Sequence, residues 1–173
     1  MSLTATYDGV LSRIRLAGTL LGAAATYAVF ERTTNGIAFT TIRGGGHVTV
    51  TGENAGADDY EWEPGVATTY RVTSYSAADV QQAQFTAVIT QDLDVVWLKV
   101  PAAPYLNTPV TVADRDEVTR RSRAGLFDVV GRSKPVAVGD VASSISYTLQ
   151  LLTQNTADRS GLDYLFASGE IVF

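Results

Sequence analysis

A single histidine, three acidic clusters, one basic cluster and a scatter of aromatic residues are the groups that could do chemistry in this chain. His47 follows Gly44, Gly45 and Gly46. A metal site or a catalytic triad needs partner residues, and none lies near it in sequence, so it reads as a turn or strand-start histidine. The triple glycine resembles a phosphate loop only superficially. Such a loop needs its lysine and a following helix; here Val48, Thr49 and Val50 follow, and the reading is a turn or bulge. Acidic residues cluster at Asp58, Asp59, Glu61 and Glu63, at Asp92 and Asp94, and at Asp114, Asp116 and Glu117. Glycoside hydrolysis needs two carboxylates facing one another across a cleft. A calcium loop needs regular oxygen spacing closed by a bidentate acid. Neither pattern is met, and the expectation is solvated loops, with weak calcium binding as the alternative.

Arg120, Arg121 and Arg123, with Arg132 and Lys134 beyond them, make the only basic cluster. It could meet nucleic acid, an anionic glycan or an acidic partner. Its acidic neighbours at 114–117 offset it, which favours a solvated or interface loop. Trp62, Trp97, Tyr7, Tyr75 and Tyr105 could stack on sugar, although core filling and protein interfaces are commoner uses of such residues. No catalytic residue, no metal ligand set and no cofactor site emerges, and an enzyme is not expected.

The totals agree. Hydrophobic residues are 46% and charged residues 18% of the 173, a balance that builds a globular core and argues against disorder. The chain has no cysteine, so disulfides and thiolate metal sites are excluded. That suits assembly in a reducing cytoplasm, with an extracellular protein without cysteine as the alternative. A net charge of −5 argues against general nucleic-acid binding. No apolar run approaches the roughly 20 residues of a membrane helix, and "MSLTATYDGV" predicts no secretory signal.

The elements that would position these groups are mostly strands. "LSRIRLAGTL" alternates Ile14 and Leu16 with Arg13 and Arg15. "TYAVFERTTNGIAFTTIRGGG" predicts a hairpin on a type I′ turn at Asn35-Gly36. "HVTVTG" continues as a strand, "ENAGADD" reads as a polar loop and "YEWE" as a short edge. Strands follow around Tyr70 and Val72 and through Phe85, Ala87 and Ile89. About seven short strands predict a β-sandwich over 1–91. Residues 92–173 form a second, β-rich domain, a barrel or a sandwich. It opens with Val95 to Val100, an apolar strand to be covered on both sides. A charged loop over "VADRDEVTRRSRAG" comes next, then two strands around a turn at 131–134. A long strand with Ile145, Tyr147, Leu149 and Leu151 on one face precedes the one helix, about 156–168. Asn155 or Thr156 caps that helix, Gly169 ends it, and Leu162, Leu165 and Phe166 form its stripe. "EIVF" reads as a final strand.

Two resemblances sharpen this. "TYAVFERTTNGIAFTTIRGG" and "EWEPGVATTYRV" resemble the middle hairpin and the later turn of a fibronectin type III module. The resemblance makes Tyr70 the corner tyrosine, whose hydroxyl bonds backbone a few residues upstream. The gap from Trp62 to Tyr70 is longer than in that family, which leaves Trp62 and Val66 as alternatives for the core anchor. The second half, with "VVWLKVPAAPYLNTPVTV", "GLFDVVGRSKPVAVGDVASSISYTLQLLT" and "ADRSGLDYLFASGEIVF", resembles the minor tail proteins of actinobacterial siphophages and their prophages. Longer members continue past the corresponding end, so a shortened form or a fragment is expected.

That family implies a structural part of a virion, assembled in the host cytoplasm and placed at the tail tip or baseplate. Its partners would be copies of itself in a ring and other tail proteins, with neither nucleic acid nor membrane insertion. Trp97, Lys99, Tyr105, Arg120, Arg121 and Arg123 are the interface candidates. The alternative is a carbohydrate-binding or adhesin module that recognises a host surface glycan; a cell-wall hydrolase ranks third.

Overall fold

The structure is a computed structural model that describes residues 2–100, 102–115, 119–120, 124–127, 136–139, 145–146 and 148–169. It is mainly β, with antiparallel sheets and one helix. The chain separates into two compact units, residues 1–109 with 155–173, and residues 110–154.

The first unit is built on a sandwich. One sheet has the order β1 (Ser2–Asp8), β2 (Arg13–Thr19), β6 (Ala55–Asp59). The other runs β4 (Thr40–Thr41), β3 (Tyr27–Thr33), β7 (Thr68–Tyr75), β8 (Gln81–Ile89), and β5 (Val48–Thr49) also pairs with β3. Three and five antiparallel strands in two sheets make a β-sandwich. Period-2 alternation explains the strands. In β2, Ile14 and Leu16 turn inward and are buried, while Arg15 and Ala17 face out. In β7, Tyr70 and Val72 turn inward against Phe30 and Ala28 of β3. Leu3, Leu21, Ile42 and Trp62 complete the core. Each large apolar side chain buried here contributes roughly 1.5–3 kcal/mol.

Several expected elements differ. "ENAGADD" is not a polar loop: β6 occupies Ala55–Asp59 and pairs with β2 from Ala55 opposite Gly18 to Asp59 opposite Ile14. "YEWE" is not a strand but the irregular chain after β6. The Asn35-Gly36 pair does not make a two-residue type I′ turn, because pairing of β3 with β4 begins only at Arg32 opposite Thr40. Gly36 alone takes a left-handed φ, +71°. Asn35 organises the wider loop instead, its Oδ1 accepting from the Ile37 and Ala38 N–H groups at 2.9 and 3.1 Å. Val50 falls outside β5.

Trp62, 6% exposed, is the core anchor, whereas Val66 is only partly buried. The indole fits because its Nε1–H donates to the Ser12 carbonyl at 3.0 Å and its ring meets the Tyr7 ring edge-on at 5.4 Å. The composition shift after Gln91 falls just past the end of β8, while the compact unit runs on. Within it, β9 holds only Val96–Leu98, and Val95 and Val96 are each half exposed rather than covered. Asn107 secures the segment that follows: its Oδ1 accepts from Val100 N–H at 2.9 Å and its Nδ2 donates to the Leu11 carbonyl at 3.0 Å.

Helix α1 (Thr156–Ala167) forms as its caps predict. Asn155 Oδ1 accepts from Asp158 N–H at 2.9 Å, and Gly169 follows with φ +72°. Leu165 is buried, but Phe166 is exposed, which narrows the expected stripe. In the second unit, β10 (Thr108–Arg115, from Val110 on) pairs with β15 (Leu149–Leu152). β11 (Thr119–Arg120) pairs with β14 (Ile145–Ser146), and β12 (Ala124–Phe127) with β13 (Val136–Gly139). The β12–β13 pair is the expected hairpin; its turn at 131–134 lies outside the described residues. The expected charged loop instead contributes Val112–Arg115 to β10 and Thr119–Arg120 to β11. The long strand through 145–151 is two strands with different partners. Tyr147 and the final "EIVF" lie outside the described residues.

The close approach at Gly45 gives a test. Its backbone links Phe30 to Ile42, with Phe30 N–H donating to the Gly45 carbonyl at 2.8 Å. An added Cβ would lie 2.5 Å from Ile42 Cγ1 and 2.9 Å from the Phe30 oxygen. Gly45→Ala is expected to cost about 1–3 kcal/mol of stability in urea unfolding, while Gly36→Ala, with open space around it, costs only the roughly 1 kcal/mol of a left-handed φ.

Candidate interface residues and the buried charge cluster

Alternation along β6 turns Ala55, Ala57 and Asp59 toward the core, so a carboxylate arrives in the interior at the strand's end. Asp59 is 2% exposed. A buried carboxylate is tolerated only with charge and hydrogen-bond partners. Arg32 of β3 and Tyr70 of β7 stand opposite each other in register, and both reach it. Arg32 Nη1 lies 2.6 Å from each Asp59 oxygen. The Tyr70 hydroxyl donates to Oδ2 at 2.8 Å, and Glu61 N–H donates to Oδ1 at 2.9 Å. Because β6 belongs to one sheet and β3 and β7 to the other, these bonds clamp the sandwich. Tyr70 is thus a corner residue that bonds a side chain, not the backbone oxygen that the resemblance implied. Burial first, then the Asp59 charge and their hydrogen bond, push its phenol well above the usual tyrosine range.

Asp58 and Glu61 of the first acidic cluster, and Asp8, are paired with arginine, while Glu63 is exposed. Arg13 bonds Asp8 at 2.9 Å and Asp58 at 2.8 Å, and Arg43 bonds Glu61 at 2.6 Å. The Val10 N–H, then Arg13, hold the Asp8 carboxyl below its ordinary value. These more open pairs contribute little individually. Among the described residues no group of acids or histidine is placed to hold a metal ion. Asp92 and Asp94 are exposed, and Asp116 and Glu117 lie outside the described residues.

The interface candidates separate. Lys99 turns onto its own unit: Nζ donates to the Tyr60 carbonyl at 3.2 Å and sits 4.8 Å from the centre of the Trp62 ring. Burial draws its pKa down. Trp97, on β9, is half-buried, and its Nε1–H has no hydrogen-bond partner among the described residues. Tyr105, in the 3₁₀ turn Pro104–Leu106, is 74% exposed. Arg120 takes part in β11 through its backbone, opposite Ile145. Its side chain, and Arg121 and Arg123 altogether, lie outside the described residues.

The aromatic residues considered for sugar stacking are dispersed in their roles. Trp62 is in the core, Tyr7 packs on it, and Tyr75 stacks on Tyr27 with centroids 5.2 Å apart. His47, exposed at the edge of β5, stacks on the other side of Tyr27 at 4.2 Å, nearly parallel. Sequence reasoning missed Arg32 and Asp59 as partners. The signal was the placement of Asp59 in phase with Ala55 and Ala57.

Two outcomes follow for the clamp. Tyr70→Phe removes one donor from a buried carboxylate and is expected to cost about 1–3 kcal/mol in urea unfolding. Asp59→Ala, which leaves Arg32 only a 3.9 Å contact with Glu61, is expected to cost more. Alkali supplies the second. The unfolded phenol titrates near the ordinary tyrosine value of 10.0, while the folded phenol keeps its proton to higher pH. The native state then binds more protons, so stability falls as pH rises above about 10. Chemical denaturation from pH 8 to 11 should show that fall, and Tyr70→Phe should flatten it. Among the described residues no helix is long and apolar enough to cross a membrane. Comparison with known proteins brings no match: none among family models, curated proteins or solved structures.

Proposed function

We propose that this chain is a structural component of a bacteriophage tail, at the tail tip or baseplate, that assembles with copies of itself and with other tail proteins. One observation supports this reading above the others: the residues best suited to chemistry are engaged in holding the fold. Asp59, Arg32 and Tyr70 join the two sheets, and Lys99 and Trp62 fasten the following segment to the same corner. Such cross-linking of a sandwich suits a part that bears load between neighbours. The motif resemblance of the second half supplies the tail assignment. Under this reading the chain acts by shape and contact, not by turnover.

A second reading, recognition of a host surface glycan, draws on Tyr105, whose ring stands open to solvent. Labelling purified virions with an antibody raised against this chain separates the two and tests both. Label confined to the tail tip is the expected result, and virions without label overturn the tail assignment. Saturable binding of the chain to host cell-wall glycan, lost in Tyr105→Ala, would favour the second reading.

A further inference from the structure

We propose that the side of the sandwich bordered by β1 and β8 is the seam on which a second copy of this chain docks, about a two-fold axis. This rests on the structural reading above and names where self-assembly occurs. Among the described residues, β8 has no partner beyond β7 and β1 has none beyond β2, so each presents an open edge. The two strands run beside each other across the sandwich, which puts both open edges on one side.

The two sides of the sandwich are treated differently. Free edges invite pairing, and proteins blunt them with short strands, charges or proline. On the far side, β4 and β5 have two residues each, and β6 has five. On the near side, β8 runs nine residues, "QQAQFTAVI", with no charge, no proline and no glycine. β1 is uncharged from Ser2 to Tyr7, and its one charge, Asp8 at the end, is paired with Arg13. Ala5 and Tyr7 of β1 and Phe85, Ala87 and Ile89 of β8 pack on the core yet stay only partly buried, whereas Ile14, Tyr70 and Val72 of the inner strands are fully covered. Val88, on the outer face of β8, is 65% exposed.

An open strand edge offers a row of N–H and C=O groups that another extended strand matches. The same-side placement selects a second copy. A two-fold axis at this side lays β8 antiparallel against β8 and brings β1 toward β1, so both sheets continue from one copy into the other. Like charges opposite one another would forbid such self-pairing. These strands carry none along the contact, although the chain as a whole has a net charge of −5.

The test uses the full chain in sedimentation equilibrium, with Thr86→Lys and Val88→Lys combined on the outer face of β8, and Thr40→Lys on β4 as control. Circular dichroism verifies that each variant keeps its strands. The seam predicts that the double variant weakens self-association at least about tenfold and that the control leaves it unchanged. Because the chain has no cysteine, single cysteines at Gln82, Gln84, Thr86 and Val88 give a clean second measurement. Disulfide-linked dimers should form at one or two adjacent positions of the four, and not from Thr40→Cys. Wild-type assembly that is indifferent to the double variant, or equal cross-linking from Thr40→Cys, overturns the seam while leaving the structural reading in place. A wild-type chain that stays monomeric at every concentration overturns self-assembly itself. Pairing of β8 only with a strand of a different protein also overturns the seam.

Discussion

The sandwich depends on one buried carboxylate. Asp59 stands at the end of β6 and is almost wholly buried. It persists because two residues of the opposite sheet, side by side in register, converge on it. The constraint works in both directions. A buried acid fixes where Arg32 and Tyr70 must stand, and that fixes the register of β3 on β7 and the placement of β6 above them. A slip of one residue would turn Arg32 and Tyr70 away and leave the charge unpaired. Apolar contacts supply most of the cohesion of this core, but they tolerate sliding; the clamp specifies one alignment.

The same corner gathers what lies around it. Glu61 N–H belongs to the clamp, and Tyr60, next to it, offers its carbonyl to Lys99. Trp62 then turns into the core, so that four consecutive residues, Asp59 to Trp62, each engage a different part of the unit. Thus the irregular chain from Tyr60 to Trp62 is tied at every residue. In the proposed tail role, this rigidity is what a component held between neighbours requires.

How much of this was legible in the sequence depends on what each residue reveals locally. β2, β7, β8 and α1 are written in apolar alternation or in capping residues, and their core faces could be read directly. β6 could not: Ala, Gly and Asp are poor strand formers. Only pairing with β2 and the reach of Arg32, 27 positions earlier, make a strand of it. Asn-Gly pointed to the right bend but the wrong turn, because the side chain of Asn35 bonds the chain ahead and widens the loop. Trp62 and Val66 could not be told apart by spacing; the Ser12 carbonyl that satisfies the indole decides between them. Of the interface candidates, Tyr105 sits on the surface and Lys99 is drawn inward by a carbonyl and a ring distant in sequence.

The fastening of Asn107 has a mechanical consequence. Because its amide grips Val100 N–H on one side and the Leu11 carbonyl on the other, tension drawn along the chain beyond residue 107 is delivered to the bend between β1 and β2. The last sandwich strand is thereby spared from being peeled, bond by bond, from its end. Lys99 adds a second mooring just upstream. A pull along the chain from beyond residue 107 meets these anchors before it reaches the end of β8.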